Sequence, residues 1–106
     1  MMDNVDAISQ LRQLRDSIDN IDAALIHLLA ERLQRTRAAD RLTAQHRLTS
    51  RDLGWEASQV TRLRELAAVS KLDPDFAETF HAFVVREVIR QREAVPRRLF
   101  EDTYPQ

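Results

Sequence analysis

Arg32 and Arg35 stand where an apolar helical stripe turns cationic. Leu11, Leu14, Ile18, Ile21, Leu25 and Leu28 fall on the a and d positions of a heptad seam, and the next two seam positions are Arg32 and Arg35. A guanidinium at the edge of such a stripe has two uses. Its stem can lie along apolar surface while the head reaches solvent, or its planar fork can bind a carboxylate through two parallel hydrogen bonds. Arg15 flanks the same seam, about 25 Å from Arg32 on a straight helix. One chain therefore cannot bring both arginines to one small ligand. Two copies packed antiparallel can, and a two-fold axis then makes two such sites.

Other chemistry is sparse. The chain holds no cysteine, hence no disulfide, thiolate nucleophile or cysteine-based metal site. His27, His46 and His81 lack any close metal-ligand spacing, so no metal and no cofactor is expected. Ser9, Ser17, Ser50, Ser58 and Ser70 show no nucleophile elbow. A single glycine, Gly54, excludes Gly-rich phosphate loops and turn-dense β architectures. With a formal net charge of −1, a nucleic-acid partner would need a local basic face. Arg86, Arg90, Arg92, Arg97 and Arg98 lack interleaved aromatics and read as a solvated helix end, so no nucleic-acid partner is expected.

The elements that must carry these residues are helices. At 106 residues, 43% hydrophobic and 31% charged, the chain is one folding domain with a charged surface. Asp3, Asn4 or Asp6 caps a first helix in which Ile8, Leu11, Leu14, Ile18, Ile21, Leu25 and Leu28 recur at steps of three and four. No proline or glycine interrupts residues 5–46, so this helix can run about 60 Å and outgrow its own domain. Residues 46–52 read as a connection. A second helix is expected from Leu53 to near Lys71, carried by Trp55, Val60, Leu63, Leu66 and Ala67. Asp73-Pro74-Asp75 is a strong start signal for a third. That helix runs through Phe76, Phe80 and Phe83, read as core, to about Val95, where Pro96 is expected to stop it. The domain is thus residues 1–95, with a tail over 96–106.

The order and ungapped spacing of several segments resemble the all-helical AroQ class of chorismate mutases over about residues 8–95. They are Leu14-Arg15-Asp16-Ser17-Ile18-Asp19-Asn20-Ile21-Asp22, Leu28-Leu29-Ala30-Glu31-Arg32, Arg62-Leu63-Arg64-Glu65-Leu66-Ala67, Leu72-Asp73-Pro74-Asp75-Phe76-Ala77-Glu78 and Glu87-Val88-Ile89-Arg90. The resemblance implies an intertwined homodimer of three-helix chains, one long helix and two shorter. It also implies a pericyclic rearrangement of chorismate to prephenate in aromatic amino-acid biosynthesis. Such a reaction asks the protein to hold a dicarboxylate in a compact conformer and to stabilise negative charge growing on the ether oxygen.

Carried over by position, Arg15 resembles the arginine lent by the partner chain and Arg32 the main carboxylate-binding arginine. Glu56 matches a glutamate that accepts from the substrate ring hydroxyl. Asp52 matches the acid at the preceding loop end, where an N-cap role competes. Four positions depart from the family pattern. Thr43 stands in place of a lysine that donates to the ether oxygen, and the chain's one lysine is Lys71. Trp55 replaces an arginine, where it either stacks on a ligand or fills a core or dimer gap. Val88 replaces a serine and Arg92 a glutamine. Losing one preorganised donor typically costs about a hundredfold in rate, so a slow enzyme is expected. On the Val84-Val88-Arg92 line, Arg92 can point inward and replace the missing donor, with Arg35 restoring positive potential near Arg32.

Two further readings share these residues. Relatives with similar helices eliminate pyruvate from isochorismate or rearrange amino analogues of chorismate, and the same arginines would grip those substrates. A non-catalytic dimer that senses a ligand or regulates a partner enzyme is the other. The start Met1-Met2-Asp3-Asn4 has no basic and apolar leader, and no window is apolar enough to span a bilayer, which reads as cytoplasmic with no membrane partner.

Overall fold

The computed structural model of the chain describes residues 3–48 and 55–103, and their side chains apart from those at 56, 57 and 95–103. Three helices follow one another: α1 (Asn4–Gln45), α2 (Trp55–Val69) and α3 (Pro74–Thr103). Among the described residues there is no strand. The all-α expectation holds, and so does the order of one long helix and two shorter.

The helix ends follow from local hydrogen bonding. Asp3 is the N-cap of α1, its carboxylate accepting from the Asp6 amide at 2.8 Å. Asp73 caps α3 in the same way, accepting from the Asp75 amide at 3.0 Å, with Pro74 at the first helical position. Both C-terminal ends close without glycine. Leu48 donates to the Thr43 carbonyl at 2.8 Å and Arg47, at φ 55°, to that of Ala44. Leu72 donates to the Ala67 carbonyl at 2.8 Å and Lys71, at φ 60°, to that of Ala68. This paired pattern is the Schellman motif, in which the left-handed residue is usually glycine.

Two boundaries differ from expectation. Helix α2 ends at Val69 because Ser70 and Lys71 belong to its cap; the expected start at Leu53 lies outside the described residues. Helix α3 does not stop at Pro96 but continues to Thr103. An interior proline removes one N–H donor and crowds the carbonyl four residues back, a local penalty. The straight-chain residues on both sides, Arg92 and Glu93 before it and Arg97, Arg98 and Leu99 after it, favour helix and carry the backbone through.

The chain divides into two units, Met1–Ala38 and Ala39–Gln106. The first is a single helical rod, the greater part of α1. No residue of α1 is buried, and seam residues from Ile8 to Leu28 keep 43–62% of their surface. The second unit holds the last turns of α1 with α2 and α3. Among the described residues its buried apolar side chains are Ala67, Ala77 and Val88. Two alanines beside the α2–α3 turn let the helix backbones approach closely. Arg64 of α2 ties them together, donating to Asp75 at 3.0 Å and Glu78 at 3.1 Å, a pairing that raises its pKa further. Phe76, Phe80 and Phe83 are not core within the chain: they keep 59%, 48% and 67% of their surface. A two-helix hairpin has one shared face, and small residues fill it here.

On α3, Glu87 accepts from Arg90 at 2.6 and 3.0 Å and from Gln91 at 3.1 Å. The Arg90 bonds chiefly, then that of Gln91, pull its pKa from the ordinary 4.5 to about 2. A depressed carboxylate contributes stability above its unfolded pKa and loses it as the pH falls toward the folded one. Thermal melts between pH 4.5 and 2 are therefore expected to fall more steeply for the native chain than for Glu87→Gln. Lys71→Gly removes a left-handed penalty and is expected to stabilise the fold by about 1 kcal/mol in a denaturant titration, offset in part by glycine's entropy.

Candidate active site

The site residues fall in both units. In the first unit, Arg15 and Arg32 ride on one uninterrupted helix, so their spacing of about 25 Å follows from the helical rise. Among the described residues neither guanidinium makes a hydrogen bond or ion pair. Arg15 is exposed and Arg32 half-buried, its carbonyl accepting from the Thr36 hydroxyl at 2.9 Å. Arg35 instead donates to Glu31 at 3.0 Å one turn back, a surface pair that offsets its charge locally.

In the second unit, two expected residues, Arg92 and Thr43, bond to one that sequence reasoning missed. Arg92 of α3 reaches Asp40 of α1 with both oxygens engaged, Nε to Oδ2 at 2.7 Å and Nη2 to Oδ1 at 3.0 Å. Thr43, one turn beyond Asp40, donates its hydroxyl to the Asp40 carbonyl at 2.9 Å. Val88, one turn before Arg92, is buried. Val88 is thus the buried member of the Val84-Val88-Arg92 line of α3, and Arg92 extends that line to a half-exposed carboxylate. No periodicity marked Asp40. Its partner lies 52 residues away in sequence, beyond the reach of any local pattern.

Trp55 opens α2 with 55% of its surface exposed, so it fills no core within the chain. Its carbonyl accepts from the Ser58 hydroxyl. Glu56 belongs to the first turn of α2, with its side chain outside the described residues, and Asp52 lies outside them altogether.

This inventory supplies cations and hydrogen-bond donors, the equipment for gripping carboxylates and stabilising charge that develops during bond reorganisation. Among the described residues the chain is all-α, with three helices, the first a long rod bearing widely spaced arginines, the architecture of a helical protein with cations placed for a small anion. More particularly, the chain matches the family described as chorismate mutase type II over residues 14–93, most of its length, and belongs to that family. Comparison with curated proteins found no match. The chain is accordingly an isomerase acting on chorismate. Among the described residues no helix is long and apolar enough to cross a membrane.

For a carboxylate-gripping arginine, geometry counts as much as charge. Lysine keeps the charge but loses the planar fork. Arg32→Lys is expected to lower kcat/KM for chorismate by about 10- to 100-fold, with unchanged helicity by circular dichroism. A loss below about threefold would remove Arg32 from the carboxylate contacts.

Proposed function

We propose that the chain works as a homodimer in which Arg15 of one protomer and Arg32 of its partner grip the two carboxylates of chorismate. Residues 1–95 form the catalytic domain in this reading. The observation that carries it is the uncovered seam of α1. Seven seam side chains from Ile8 to Leu28 keep roughly half their surface. At about 1.5–3 kcal/mol for burying each such side chain fully, covering them is worth on the order of 5–10 kcal/mol per helix. Two helices together offset an association cost of about 4–15 kcal/mol. The same packing gives Arg15 a use, since its own chain holds it far from Arg32.

In this reading Arg92 donates to the ether oxygen as the bond breaks, and Glu56 accepts from the ring hydroxyl. Trp55 and Val88 line the substrate with apolar surface. Turnover is slow. Thr43 brings no charge where a cation would serve, its proton goes to a backbone carbonyl, and Trp55 cannot pair with a carboxylate. The protein serves aromatic amino-acid biosynthesis in the cytoplasm.

Subunit complementation tests the shared site. Arg15→Ala and Arg32→Ala are each expected to be nearly inactive as homodimers. After unfolding and refolding as an equal mixture, half the dimers carry one intact site, so about a quarter of native activity returns. Absence of recovery in a mixture that sedimentation shows to be dimeric would place both arginines in one chain's site and end this reading.

A further inference from the structure

The bond between Asp40 and Arg92 has a geometry that bears on the reaction. Arginine offers five N–H donors in a fixed plane. Asp40 takes the Nε and Nη2 edge, at 2.7 and 3.0 Å. Both hydrogens of Nη1 and the second of Nη2 keep no acceptor among the described residues. The pair is half-exposed, 54% for the arginine side chain and 37% for the aspartate. Exposed ion pairs of this kind add little to folding stability. What a two-point grip does achieve is orientation. A guanidinium on a flexible stem is pinned in plane and direction, with its outer edge left as a ready donor.

We infer that Asp40 is a positioning residue for the chorismate rearrangement: it holds Arg92 by one edge so that the other edge meets the charge developing on the ether oxygen. This rests on the reading of Arg92 as that donor. Asp40 also places a negative charge beside the guanidinium, which weakens attraction for a dianionic ground state. Its contribution is therefore to the chemical step and not to substrate capture, and the two separate in kinetics.

The experiment measures kcat and KM for chorismate in the native full-length chain, Asp40→Ala, Arg92→Ala and the double variant, with helicity checked by circular dichroism. Removing the pin is expected to lower kcat about tenfold, as for a misplaced catalytic group, while KM stays level or falls. In the Arg92→Ala background the same change should have no further effect on kcat, because Asp40 acts through Arg92. An equal fold-loss in both backgrounds, a raised KM at constant kcat, or a raised kcat overturns the inference. If Arg92→Ala lowers kcat and Asp40→Ala does not, the Asp40 inference alone falls; if Arg92→Ala leaves kcat unchanged, the donor reading falls with it. Should Asp40→Ala lose helicity, Asp40→Asn, which keeps the size and removes the charge and one acceptor oxygen, gives the same comparison.

Discussion

A 42-residue helix with an apolar seam and no buried residue is the constraint from which the rest follows. Water penalises that seam along its whole length. Among the described residues the second unit builds little core of its own: two alanines and a valine are its buried apolar side chains. Phe76, Phe80 and Phe83 are exposed for the same reason as Leu14 and Ile18. The sequence contains the apolar surface of a stable domain, but one copy of the fold distributes it outward. With Arg15 and Arg32 on the rod, the proposed grip on the substrate is linked to whatever covers the seam.

The reaction explains how so meagre a set of groups is enough. A pericyclic rearrangement has no covalent intermediate with the protein and needs no proton shuttle, so serine, cysteine and histidine chemistry is dispensable. What remains is conformational restriction and electrostatic stabilisation, both within the reach of guanidinium groups on rigid helices. Arg15 and Arg32, without an ion-pair partner among the described residues, suit that role. Arg35, Arg64 and Arg90, each paired with a neighbouring acid, serve local structure.

Much of the fold was legible because helix signals are local. Asp3 and Asp73-Pro74-Asp75 announce their helices by side-chain chemistry within four residues of each start. The C-terminal ends were less clear. Their left-handed positions carry Arg47 and Lys71, so the usual glycine signal is absent and only the hydrogen-bond pattern reveals the cap. Pro96 misled in the opposite direction: a residue that usually stops a helix is carried along by good helix formers on both sides. Core membership was the least legible property. A stripe of phenylalanines reports that a face wants covering, not whether the same chain covers it. Among the proposed site residues, Arg15, Arg32 and Arg92 are candidates by position alone, whereas Asp40 is not, since a tertiary ion pair leaves no trace in spacing.

In the proposed site, an uncharged Thr43 together with Arg92 bound to Asp40 changes more than the count of charges. A free ammonium on a four-carbon stem projects a strong field but must be ordered, and it attracts ground-state carboxylates as readily as a developing oxyanion. An arginine clamped by a carboxylate projects a weaker field, because the pair is neutral as a whole. Its remaining N–H groups, however, have a fixed direction. At hydrogen-bond distance the local N–H dipoles dominate, whereas farther away the opposite charges cancel. Such a donor discriminates between an acceptor at one point in space and an anion merely nearby, the distinction between a transition state and a bound substrate. In the proposed site the second unit thus offers short-range aim in place of long-range attraction, with capture of the dianion left to Arg15 and Arg32.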